Sequence, residues 1–115
     1  MIDPTPVLRS EYEDGRLVIL LSGEIDLSNA ESLETQIGQA IQVANVPEVV
    51  IDLTAIDFID SRGLRLLTRI ATAVAGRGST FAVIAPPDSI ARSVLDMTRM
   101  TDELAVRDSA QVAES

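Results

Sequence analysis

Two short apolar-bearing stretches open the chain, separated by a polar turn, and after residue 28 the hydrophobic positions fall three and four apart. Residues Met1–Pro6 hold two prolines and read as a loose lead-in. Val7–Tyr12 reads as a first strand. Glu13-Asp14-Gly15-Arg16 contains Asp-Gly, a strong signal for a tight hairpin turn. Leu17–Leu21 supplies the returning strand, and Ser22–Leu27 breaks the pattern as a loop or strand end. Ser28-Asn29-Ala30-Glu31 has the form of a capping box. Ala30, Leu33, Ile37 and Ile41 then mark the buried stripe of a helix running to about Gln42.

Pro47 closes that connection. Glu48–Leu53 is a third strand, and its continuous apolar run predicts burial in the centre of a sheet. A second helix begins near Ser61 and ends near Gly76 or Gly78, either of which can supply a left-handed stop. Leu64, Leu67, Ala71 and Val74 are its expected core stripe. Thr80–Ala85 is a fourth strand. Pro86-Pro87-Asp88 is a turn, with Asp88 the expected cap of a third helix through about Met97. Leu104–Val106 is a last short strand and Asp108–Ser115 a frayed helical tail. An antiparallel hairpin followed by alternating helices and strands predicts an α/β fold, with helices packed on one mixed sheet. Neither a repeat nor a linker divides the chain, so a single domain over residues 1–115 is expected, with its core at about 7–106 and short flexible ends.

Composition narrows the chemistry. The sequence has no Cys, His or Trp, and all nine basic residues are Arg. Without Cys there is no disulfide frame or thiolate. Without His there is no Ser-His-Asp triad and no imidazole ligand. Without Lys there is no Schiff base and no Walker A loop. The expected protein is not an enzyme and needs no cofactor of its own. A formal charge of −9 makes nucleic acid and anionic membrane poor partners and suits a protein with a basic docking surface. No apolar run approaches a membrane span, and Met1-Ile2-Asp3-Pro4 lacks the basic stretch and apolar core of a secretion signal. A cytoplasmic location is expected.

The densest chemistry lies in Val49–Leu64, where a buried strand runs into the start of a helix. Ser61 stands there beside Asp60. Helix N-termini offer unpaired N–H groups and partial positive charge, so they receive phosphate well. Ser61 is therefore a candidate phosphorylation site, or alternatively a helix cap; Asp60 could be the cap instead. Arg65, four residues on, and Arg62 could screen a phosphate, whereas Asp60, Asp26 and Asp57 would oppose it. Arg62, Arg65 and Arg69 otherwise form a solvated helix face. If the third strand lies beside the second, Glu24 and Asp26 come near the helix mouth. Asp52 reads as a structural hydrogen-bond acceptor in a buried strand. A phosphohydrolase or nucleotide-binding reading would use Asp52, Asp57 and Asp60 around magnesium. A receiver-type phospho-aspartate domain needs a lysine that the chain lacks.

Asp52-Leu53-Thr54-Ala55-Ile56-Asp57-Phe58-Ile59-Asp60-Ser61-Arg62-Gly63-Leu64 resembles the core motif of the STAS domain, the fold of bacterial anti-sigma-factor antagonists. Leu21-Ser22-Gly23-Glu24-Ile25-Asp26 resembles the upstream element of that family, and Ile90–Thr98 its third-helix segment. Arg62 stands where the family usually has a small hydroxyl residue, and Arg99 where it often has Gly. The resemblance implies a single STAS-like domain acting as a partner switch. The unphosphorylated form would bind an anti-sigma factor that is also a serine kinase, which frees a sigma factor. Phosphorylation at Ser61, with ATP and magnesium supplied by the kinase, would release it, and a serine phosphatase would reset the switch. Glu24, Asp26, Asp60, Ser61, Arg62, Gly63 and Arg65 are the expected partner-binding residues. The alternative is a STAS scaffold, or a subunit of a lipid-transport or stress-signalling complex, with no serine switch.

Overall fold

Asp14 and Gly15 both take positive φ, 51° and 76°, and this two-residue turn folds the chain back on itself. It joins β1 (Val7–Glu13) to β2 (Arg16–Ile25), paired antiparallel from Glu13↔Arg16. The structure is a computed structural model and describes residues 7–109. After the hairpin come α1 (Ala30–Ala44), β3 (Glu48–Ile59), α2 (Ser61–Gly76), β4 (Thr80–Ile84), α3 (Ile90–Met97) and β5 (Val106–Arg107). The strands form one sheet in the order β1-β2-β3-β4-β5, and every pair after the first is parallel. The mixed sheet expected from the sequence is present, with its hairpin at one edge.

Strand alternation gives the sheet two faces. Leu17, Ile19, Leu21, Val49, Ile51, Leu53 and Val83 meet the helices in the main core. Val18, Val50, Ala82 and Ile84 form a second cluster on the opposite face. Val49, Val50 and Ile51 are fully buried, as the unbroken apolar run predicts.

The boundaries differ from the sequence expectation where tertiary pairing overrides local pattern. β2 continues through Ser22–Ile25, expected as a loop or strand end, and β3 continues past Leu53 to Ile59. The two extensions pair with each other, ending at Ile25↔Ile59, with register shifts between Leu20 and Ser22 and between Gly23 and Glu24. Gly23, at φ 96°, allows the backbone departure there. The buried stripe of α2 is Leu66, Leu67, Ile70 and Val74, with Gly63 at its start. Leu64 and Ala71, expected in the stripe, are only half-buried. Gly78, at φ 81°, takes the left-handed position beyond α2, and Gly76 stays helical.

At the far edge, Ser89 rather than Asp88 caps α3, its Oγ accepting the Arg92 N–H at 3.1 Å. β5 lies at Val106–Arg107, because Leu104 turns into the core. The lead-in at Met1–Pro6 and the tail from residue 110 onward lie outside the described residues.

Candidate functional site

The parallel pairing of β2 with β3 brings two chain segments to one end of the sheet. Ile25 and Ile59 are the last paired residues, and the Asp60 N–H donates to the Ile25 carbonyl at 3.1 Å. The loop after β2 and the mouth of α2 are thereby adjacent, as the placement of Glu24 and Asp26 requires.

The loop is held by its own side chains. Asp26 Oδ1 accepts from the Ser28 N–H at 2.9 Å and from the Ser28 hydroxyl at 2.5 Å. Asn29 Oδ1 accepts the Asp26 N–H at 3.1 Å, and Asn29 Nδ2 donates to the Glu24 carbonyl at 2.9 Å. The expected capping box is therefore absent: Asn29 holds the N-cap position of α1 without a side-chain cap bond. Its amide is spent on the loop, and the Ser28 hydroxyl on Asp26.

Asp60 is the cap of α2. Its Oδ1 accepts from the Arg62 N–H at 2.9 Å and the Gly63 N–H at 3.2 Å. Ser61 then begins the helix. It is exposed, and its hydroxyl has no hydrogen-bond partner among the described residues. Capping therefore does not account for Ser61. Of the two caps the sequence offered, Asp60 is the one used, and it takes two of the N–H groups at the helix mouth.

Gly63, expected to touch a partner, is buried. A Cβ there would lie 2.5 Å from Ile59 Cγ1 and 2.9 Å from Ile25 Cγ2. Its missing side chain lets α2 seat on the joined ends of β2 and β3, so it shapes the face from beneath. Glu24, Arg62 and Arg65 are exposed, and Asp26 and Asp60 are half-buried in their hydrogen bonds. Arg62, Arg65 and Arg69 form one wall of a groove of about 250 Å³, opposite Glu31 and Glu34 of α1. Arg69 Nε lies 3.8 Å from Glu34 Oε2. Arg62 and Arg65 have no ion-pair partner among the described residues.

Two residues missed by the sequence reading also belong to this end of the molecule. Leu27 is 67% exposed in the loop, and Phe58, paired with Glu24, is 47% exposed. The signal available was a large apolar residue directly after an acidic one in each segment, Asp26-Leu27 and Asp57-Phe58.

The carboxylates do not converge. Asp52 is half-buried and closes a turn of its own, accepting from the Thr54 N–H at 2.9 Å and the Thr54 hydroxyl at 2.6 Å. Eight residue steps of largely extended chain separate it from Asp60, roughly 25 Å at the usual strand rise. No cluster of three metal-ligating side chains occurs among the described residues. No helix among them is long and apolar enough to cross a membrane.

Comparison with known proteins agrees with this geometry. The family model for the STAS domain matches residues 8–113. An anti-sigma-F factor antagonist, RsfB, of Mycobacterium tuberculosis is 38% identical over 72 residues; the match covers 63% of this chain and 57% of that protein. An anti-sigma F factor antagonist of Paenibacillus polymyxa is 27% identical over 104 residues, covering 89% of this chain and 86% of that one. Among solved structures, an anti-sigma factor antagonist from Mycobacterium paratuberculosis superposes with a TM-score of 0.85 at 28% identity. That match covers 97% of this chain and 93% of the other.

Proposed function

This chain belongs to the STAS domain family, and we propose that it is an anti-sigma-factor antagonist working by partner switching at Ser61. The unphosphorylated protein binds an anti-sigma factor that is also a serine kinase, and a sigma factor is freed. The kinase brings ATP and magnesium, transfers a phosphoryl group to Ser61 and is released. A serine phosphatase restores the binding form. The chain is a ligand and a substrate in this cycle, acts in the cytoplasm, and catalyses no step.

The observation that carries the reading is the state of Ser61. It is an exposed hydroxyl without a hydrogen-bond partner among the described residues, next to a residue that already caps the helix. A hydroxyl there adds little to the fold and is open to a kinase. Around it, Glu24, Asp26, Asp60, Arg62 and Arg65 supply the charges of a docking face, and Leu27 and Phe58 supply apolar area. Apolar residues at the centre of such a face contribute through burial, and rim charges through orientation and association rate.

The test is incubation with ATP, magnesium and the anti-sigma kinases of the same organism, followed by intact-mass and peptide mass spectrometry. The expected result is a single phosphate on Ser61 that is absent from Ser61→Ala, with loss of kinase binding after modification. If no candidate kinase modifies the protein, the reading fails. A STAS scaffold in a lipid-transport or stress-signalling assembly then takes its place.

A further inference from the structure

A phosphate on Ser61 would arrive at a helix end that is already capped. The Arg62 and Gly63 N–H groups are bonded to Asp60 Oδ1, so they are not free to receive it. The group would carry about −1.5 to −2 charge. It would stand beside the carboxylate of Asp60, with Asp26 in the adjoining loop and Glu31 and Glu34 on the facing helix. Beyond the N–H of Ser61 itself, compensation must come from side chains.

Two cations stand within one turn. Side chains four residues apart share a helix face, which places Arg65 over Ser61. Arg62 is its neighbour. Both are exposed, and neither has an ion-pair or side-chain hydrogen-bond partner among the described residues. Arg69, one turn further along the same groove, is by contrast engaged by Glu34 at 3.8 Å.

We propose that Arg65, supported by Arg62, holds a phosphate carried by Ser61, in place of the helix-end N–H groups that Asp60 occupies. The inference rests on Ser61 being the acceptor. It adds a consequence: the phosphoryl group folds back along α2 instead of projecting from it. Modification then does two things to the docking face at once. It adds a dianion and withdraws two cations that were free. The helix itself stays formed.

The test uses the full chain with phosphoserine installed at position 61 during translation, so that no kinase is required. Phosphorus NMR follows the second ionisation, which lies near pH 6 for a phosphoserine. A cation beside the dianion favours it and lowers the midpoint; removing that cation raises it. Arg65→Gln is expected to raise the midpoint by about 0.2–0.4 pH unit. Arg62→Gln should raise it less, Arg65→Lys should keep most of the wild-type value, and Arg69→Gln should leave it unchanged. Equal midpoints in wild type and Arg65→Gln would overturn the inference. So would loss of the far-UV helical signal in the phosphoserine protein. Either result would leave the kinase assay standing, and failure of the kinase assay would leave this titration standing.

Discussion

At Asp60 and Ser61, adjacent residues have separable jobs. Asp60 closes the first turn of α2 through two N–H groups, and the Ser61 hydroxyl has no hydrogen-bond partner among the described residues. Asp60→Ala should therefore cost about 0.5–2 kcal/mol, the usual worth of a lost cap. Ser61→Ala should stay within about 0.5 kcal/mol of wild type, as for a surface site free of special contacts. Urea unfolding of the two variants reads the difference; an equal loss in both would show that the hydroxyl shares the capping. This contrast also makes Ser61→Ala a clean control, because a binding defect in it would not be a folding defect. Gly63 has the reverse character. Two buried isoleucines stand where its Cβ would go, so Gly63→Ala should destabilise by about 1–3 kcal/mol through overpacking. The order of loss across these three variants, Gly63 and Asp60 well above Ser61, is the expected outcome of one denaturation series.

At the scale of elements, the third helix shows how a local departure becomes a structural cost. α3 ends in a Schellman arrangement: the Arg99 N–H donates to the Asp96 carbonyl at 3.2 Å and the Met100 N–H to the Leu95 carbonyl at 2.9 Å. Arg99 holds the left-handed position, at φ 60°, where Gly is favoured. Arg99→Gly should therefore stabilise the protein by about 0.4–1 kcal/mol, read as a higher urea midpoint with an unchanged slope. The resemblance to STAS sequences made this position legible, because the motif has Gly there. The hairpin was legible from Asp14-Gly15, whose backbone needs are local. The central strand was legible from Val49-Val50-Ile51, whose burial follows from being apolar on both faces. The extension of β2 through Ser22–Ile25 was not, because those residues are held by register with β3 and by a bulge, and neither leaves a local periodicity. The cap at Ser89 was missed for a related reason. Asp88 and Ser89 are equivalent as capping types, and only the turn at Pro86 decides between them; the Ser89 hydroxyl also donates to the Pro86 carbonyl at 2.8 Å. At the mouth of α2, the sequence named the residues and left open which of two neighbours was the cap. Backbone geometry settles that choice.

For the molecule as a whole, the decisive property is excess negative charge, with no cluster among the described residues to concentrate a cation. The chain carries a formal charge of −9, which opposes the compact state through self-repulsion. Its candidate carboxylates are occupied separately. Asp26 holds Ser28, Asp52 holds Thr54 and Asp60 holds the first turn of α2. Dissolved salt should therefore stabilise the fold by general screening, because the Debye length falls from about 30 Å at 0.01 M to about 3 Å at 1 M. A bound divalent ion would act differently, stabilising by mass action at a site formed only in the folded state. We expect the melting temperature to rise with sodium chloride, and to rise by the same amount with magnesium chloride at matched ionic strength. A gain particular to magnesium at millimolar concentration would mean that carboxylates gather around the ion after all. Such a gain would return the phosphohydrolase reading to contention, with Asp57 and Asp60 its nearest pair in the chain. Equal curves for the two salts leave the charge distributed over the surface, where its remaining use is to orient a protein partner.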